Sequence, residues 1–244
     1  MNRKLLTVPL FAVLIALAAL FLTRGGGSSG GSAEAAAQVA AAFVKVEELT
    51  SVSARISSVV TTERAIIEVK QQITSELPDR AYVRTEVDSR VSEVVVLGER
   101  VVVKRFAYLP WEETDFRSLG IDPNALYDTE QEAFLPSKLI VVGEVVEDGV
   151  EKIHYYQKTD GQELKELLER LFLEDSRIRN ALEQTVVEEI ETDYLIGKYD
   201  QLPYRATVRV KATENGIEVE TVSIIEYFDF NVPLVLPEDL PLTP

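Results

Sequence analysis

The sequence predicts an α+β fold: one long antiparallel β-meander with a few helices, in a single folded domain. Three observations predict it. Apolar and polar residues alternate with period two in one segment after another, as half-buried antiparallel strands require. Turn signals separate these runs at short intervals, and strand does not alternate regularly with helix, so a parallel sheet is disfavoured. Apolar residues make up 46% of the 244 residues, ample for a core.

Charge and composition narrow the function. The 25 Lys and Arg against 41 Asp and Glu give −16. Nucleic acid is disfavoured as a partner, because phosphate binding needs a basic footprint. Adhesion of the folded domain to an anionic membrane is disfavoured for the same reason. The chain has no cysteine, so disulfides, thiolate nucleophiles and cysteine metal sites are excluded.

The elements follow in order. Arg3 and Lys4 precede the uncharged run Leu5–Leu22. Eighteen helical residues span about 27 Å, near the thickness of a bilayer core. A basic start followed by an apolar run predicts a signal anchor or a cleaved signal peptide over residues 1–24, with the rest of the chain outside the cytoplasm. Gly25–Ser32 reads GGGSSGGS, a flexible tether. A folded domain over residues 33–240 and a short tail at 241–244 complete the expected organisation.

Ser32–Thr50 predicts the first helix. Its alanines favour helix, and Val39, Phe43, Val46 and Leu49 form one stripe. Strands then dominate. Val52, Ala54 and Ile56 alternate with polar residues, as do Ala65, Ile67 and Val69, and then Ala81, Val83, Thr85 and Val87. Val94–Leu97 and Val101–Val103 read as a hairpin apolar on both faces. From Leu109 to Pro136 the sequence is irregular and rich in aromatics, including Trp111, Phe116 and Phe134; this predicts either a rim that moves or a loop pinned by its own side chains. Lys138–Val146 and Val150–Lys158 flank a turn at Glu147-Asp148-Gly149. Asp160–Glu163 has the pattern of a capping box ahead of a helix with Leu164, Leu167, Leu168 and Leu171 on one side, and a shorter helix is expected over Ser176–Glu183. Val186–Ile196 is a strand. Tyr204–Tyr227 is the clearest hairpin, with Asn215-Gly216 between two alternating arms.

Catalytic devices are hard to build from these residues. His154 is the one histidine, it falls within a strand, and no G-x-S-x-G elbow accompanies it. Metal sites of the His/Cys type are excluded by count, and no calcium-loop spacing is present. Neither a cofactor nor a catalytic residue is expected.

Several short stretches carry a resemblance: Val94–Val103 followed by Trp111, the Glu144–Val150 hairpin before Tyr155, Tyr194-Leu-Ile-Gly-Lys198 leading to Leu202-Pro203-Tyr204-Arg205, and Tyr227-Phe-Asp-Phe-Asn231-Val-Pro233. In their order and spacing the chain resembles the LolA-like superfamily, and within it the LppX/LprG-type envelope lipoproteins. The resemblance implies a curved sheet, a half-barrel, with helices closing its concave face over an apolar cavity. It implies acyl chains of lipids or lipoproteins as partners, and a carrier rather than an enzyme; envelope sensors on the same fold are the alternative. The chain departs from the lipoprotein pattern in lacking a lipobox cysteine, and Leu5–Leu22 would then provide the membrane tether. The candidate cavity lining is Phe43, Ile56, Ile67, Val69, Val83, Val87, Leu168, Val208, Val210, Val219 and Ile225. Trp111, Phe116 and Phe134 are the candidate rim.

Overall fold

Among the described residues, the alternating segments fold into eleven strands that form one antiparallel sheet. The computed structural model describes residues 31–77, 79–115, 139–162, 185–214 and 216–241. The expected membrane segment, most of the tether, the segment with Phe116 and Phe134, and the two helices expected after Asp160 (Leu168 among them) lie outside these residues. Among the described residues there is one helix, α1 (Gly31–Glu47), which begins inside the stretch expected as tether.

The strands are β1 (Ser51–Thr62), β2 (Ile66–Glu76), β3 (Arg80–Val87), β4 (Arg90–Leu97), β5 (Arg100–Lys104), β6 (Glu112–Thr114), β7 (Leu139–Glu147), β8 (Val150–Asp160), β9 (Thr185–Gly197), β10 (Pro203–Glu214) and β11 (Ile217–Phe228). Their spatial order is β6-β5-β4-β3-β2-β1-β11-β10-β9-β8-β7. The chain walks outward from β1 to β6, then returns from the far edge through β7 to β11. The pairing of β1 with β11 joins the two halves, from Ser53 opposite Phe228 to Thr62 opposite Val219.

Tight turns set the local registers. Asp88 and Ser89 both have positive φ between Val87 and Arg90, as do Asp148 and Gly149 between Glu147 and Val150. Paired positive φ values are those of a type I′ turn, whose twist suits adjoining strands. Gly216 has φ +78° in the β10–β11 turn expected from its Asn-Gly sequence.

Helix α1 packs on β7, β9 and β10. Ala35, Ala36, Val39, Ala42 and Phe43 meet Ile56, Leu139, Tyr155, Tyr194, Ala206 and Ile225 in one buried cluster. A second cluster on the same face, Val60, Ile67 and Val69 with half-buried Val87 and Val219, shares no residue with α1.

The opposite face carries the C-terminal tail. Asn231 Oδ1 accepts from Thr50 N at 2.9 Å, and the Asn231 amide donates to the Ser51 carbonyl at 2.9 Å. The Ser51 hydroxyl donates to the Val232 carbonyl at 2.6 Å. Beyond this clamp, Leu236 and Leu240 cover Tyr82, Val95, Leu97, Val102 and Trp111. The β4–β5 hairpin is therefore apolar on both faces because one face receives the tail.

Neighbouring positions on β11 test this division of faces. Ile225 is fully buried, whereas Ile224 is 40% exposed on the other side. Ile225→Ala should cost about 2–5 kcal/mol of unfolding free energy in urea titrations, and Ile224→Ala less than about 1 kcal/mol. Equal costs would mean that the faces are assigned wrongly.

Candidate functional site

The face that carries α1 is built from cross-strand rows, because residues opposite one another in a ladder share a face. One row runs Gln71, Ile56, Ile225, Ala206, Tyr194, Tyr155. The next runs Val87, Val69, Ser58, Ser223, Val208, Thr192, Gln157, Leu139. A third runs Ile67, Val60, Thr221, Val210, Ile190, Thr159. All these residues are buried except Val87, which is half-buried. None carries a charge. Burial of an unpaired charge is costly, so a wide uncharged face is where apolar matter can lie.

The other face of the same strands is charged. Lys211 lies opposite both Glu220 and Glu189, and Arg205 opposite Glu226. Arg209 Nη1 donates to Asp193 Oδ2 at 2.6 Å, and His154 Nε2 lies 2.8 Å from Asp193 Oδ1. His154 thus belongs to a polar surface cluster with Asp193 and Arg209. Lys158 pairs with Glu189 and lowers its pKa through a hydrogen bond. Lys152 is buried on this side, 3.2 Å from Glu147 and over the ring of Tyr204. Such a contact combines an ion pair with a cation–π interaction.

Three pockets bounded by described residues all have charged walls. One of about 440 Å³ lies among Arg55, Glu147, Lys152, Arg205 and Glu226. Another of about 240 Å³ surrounds His154, Asp193 and Arg209. A third, about 480 Å³, opens at the sheet end near Glu63, Glu188, Lys211 and Glu218, and its wall includes Val219.

The expected lining residues fall into groups. Phe43, Ile56 and Ile225 come together under α1, where the Phe43 ring meets Tyr194 edge-on at 6.2 Å. Ile67, Val69, Val87 and Val219 gather in the second cluster. Val208 and Val210 lie in the rows between. Val83 is half-buried further along the same face, opposite Ile73 and Val94. Trp111 departs from expectation. Instead of rimming this face it packs against the tail on the other, where it and, more strongly, Lys104 lower the pKa of Asp239. It follows β5 closely enough to share the apolar side that the tail covers.

Several residues of this face were not foreseen as lining. Tyr155 and Tyr194 lie at its centre, and Tyr155 donates to Gln38 Oε1 of α1 at 2.7 Å. Ser58, Ser223, Thr192 and Gln157 count as polar in an alternation pattern, which obscured their position among apolar neighbours. The clue was strand parity: Thr192 shares it with Ile190 and Tyr194.

Burial, and secondarily a hydrogen bond to Asp200, pushes the Tyr204 hydroxyl up to about 12. Burial and Glu191 do the same for Tyr156, also to about 12. A raised folded-state pKa gives stability that is intact below the unfolded value of 10.0 and lost as pH rises toward the folded value. Unfolding free energy should therefore decline between pH 10 and about 12, and Tyr204→Phe or Tyr156→Phe should make the decline shallower in alkaline urea titrations followed by tyrosinate absorbance. A decline as steep in both variants as in the parent chain would contradict this assignment.

No protein-family model matches the chain, and no curated protein matches it by sequence. Solved structures do. LprF from Mycobacterium bovis superposes with a TM-score of 0.51 at 12% identity, over 85% of this chain and 98% of that one. The lipoprotein LppX from Mycobacterium tuberculosis gives 0.51 and 12%, over 85% of this chain and all of that one. A LolA-superfamily protein from Nitrosomonas europaea is more distant, with a TM-score of 0.29 at 9% identity, over 80% of this chain and 94% of that one. The fold is of the kind seen in LprF and LppX.

Proposed function

We propose that this chain is an extracytoplasmic carrier that shelters acyl chains of a lipid or lipoprotein on the α1 face of its sheet, without a catalytic step. The observation that carries this reading is the extent of that face. Its uncharged rows cross from β2 to β8, while among the described residues α1 packs chiefly on β7, β9 and β10 and meets the rest of the sheet through the first row, at Ile56, Ile225 and Tyr155. The Val60–Ile67–Val69 cluster lies beyond the residues that α1 packs against. Transfer of each methylene from water to such a surface is favourable by about 0.8 kcal/mol before ordering costs. The fold shared with LprF and with the lipoprotein LppX supports the reading.

In this reading the sheet curves into a half-barrel around the acyl chains, with the lining given by Phe43, Ile56, Ile67, Val69, Val83, Val87, Val208, Val210, Val219 and Ile225. Leu168 adds to the wall, and Phe116 and Phe134 to the rim. Leu5–Leu22 tethers the domain to the membrane, or is cleaved to release a shuttle.

A second reading, an envelope sensor or protein-interaction module, is favoured by one observation. Strand β7 ends the sheet, and Ile140, Val141 and Val142 on it are each 54% exposed. Such an edge can accept a strand from another polypeptide.

Native mass spectrometry of the chain purified without detergent should show a lipid adduct. Val219→Asp, at a half-buried lining position, should remove the adduct and leave the circular dichroism spectrum unchanged. Only the bare polypeptide mass, even after incubation with a total lipid extract, would contradict the carrier. A stoichiometric polypeptide that co-purifies and is lost on Val142→Lys would favour the second reading.

A further inference from the structure

The three rows of the α1 face from β2 to β8 are uncharged, yet a band of hydroxyl and carboxamide groups crosses them. Ser58, Ser223, Thr192 and Gln157 share one row, with Val208 between the second and third. Each of the four is at most 2% exposed. Buried polar groups are costly unless hydrogen-bonded, so a band of them inside an apolar face calls for an account of its hydrogens.

Among the described residues, that account leaves donors over. The hydroxyls of Ser58 and Ser223 lie 2.7 Å apart and bond to each other. One proton makes that bond, and the other hydroxyl still has one to donate. Gln157 Nε2 donates to the Thr159 hydroxyl, whose own proton remains to be given. Tyr194 makes the case sharper. It is 2% exposed, and its hydroxyl proton has no acceptor among the described residues. The hydroxyl of Thr192, two residues earlier on the same face, can donate to the Tyr194 oxygen, which leaves the Tyr194 proton still to be given. The adjacent Tyr155, by contrast, is satisfied by Gln38. Tyr194 thus stands in the row next to Thr192 and Gln157, with a proton that no described residue accepts.

We propose that Tyr194 and this row form a hydrogen-bonding subsite within the acyl-binding face, and that it takes the carbonyl oxygen of a neutral acyl ester or amide. The assignment rests on the carrier reading and deepens it. Surplus donors select an acceptor, which bare hydrocarbon lacks. A free carboxylate would also accept, but the members of these rows on β1, β11, β10, β9 and β8 include no cationic side chain to balance its charge, and an uncompensated charge there is far costlier than a neutral carbonyl. A carbonyl also asks for no donor-to-donor rearrangement, since each protein hydroxyl can rotate toward it. The subsite thus fixes where along the ligand the ester lies, while the flanking valines and isoleucines accept chains of varied length.

The test uses the full chain with two probes of equal heavy-atom count, methyl stearate and n-heneicosane, each competing against a bound fluorescent acyl probe. The parent chain should prefer the ester. Tyr194→Phe and Thr192→Val should each lower the ester-to-alkane affinity ratio by about five- to tenfold, the scale of one hydrogen bond, while alkane affinity stays unchanged. The melting temperature of ligand-free Tyr194→Phe should fall little, because the proton removed has no acceptor among the described residues. This readout separates a ligand contact from a merely structural role, which would move both affinities together. Equal affinities for the two probes in the parent chain, or a ratio unmoved by both substitutions, would overturn the subsite and leave the carrier standing. Binding of neither probe would overturn the carrier and the subsite with it.

Discussion

The pairing of β1 with β11 is the constraint on which the rest depends. It joins an outgoing meander to a returning one and makes eleven strands a single surface. Because side chains alternate with period two, the register of this one ladder decides which residues of both halves share a face. With Ile56 opposite Ile225 and Ser58 opposite Ser223, the uncharged sets of β1, β2, β10 and β11 coincide. A slip of one residue would set Arg55 and Glu226 among the apolar residues under α1. The pairing of charges on the far face of these strands and their absence from the near rows of β1, β2, β10 and β11 are two sides of the same register.

The two ends of the chain segment that forms the sheet reinforce this seam. Thr50 and Ser51, where the helix gives way to β1, are held by Asn231 and Val232, just after β11. The tail then runs on to cover β3, β4 and β5 from behind. One short segment thereby closes the seam and supplies the second layer for the other half of the sheet. The division of labour is physical: α1 stands over the returning strands, and the tail backs the outgoing ones.

Much of this was legible in the residues. The alternation in Tyr204–Tyr227 and the Asn-Gly between its arms gave both strands and their turn, and the double-sided valines of β4 and β5 implied cover on two faces. The partners of those faces were not legible. Alternation says which residues share a side, but not which distant strand adjoins, so the β1–β11 seam could not be read. Trp111 went to the wrong side for this reason: its position in an aromatic-rich loop suggested a rim, while contact with Leu236 and Leu240 depends on where a tail far away in sequence docks. The buried serines, threonines and Gln157 were missed because a polar residue on a strand ordinarily marks the wet face, and only the ladder shows that these do not. Asn231 was singled out in sequence, but its role as a clamp needed the geometry.

The central claim is that the uncharged face under α1 is where an acyl chain lies. A photoactivatable acyl probe bound to the full chain and cross-linked, with the labelled residues located by peptide mass spectrometry, tests it most directly. Labels should fall on alternate residues of β1, β2, β10 and β11, at positions such as Val60, Val69, Val210 and Val219. Labels confined to the charged face, around Arg209 and Glu220, or an absence of labelling at saturating probe, would contradict it.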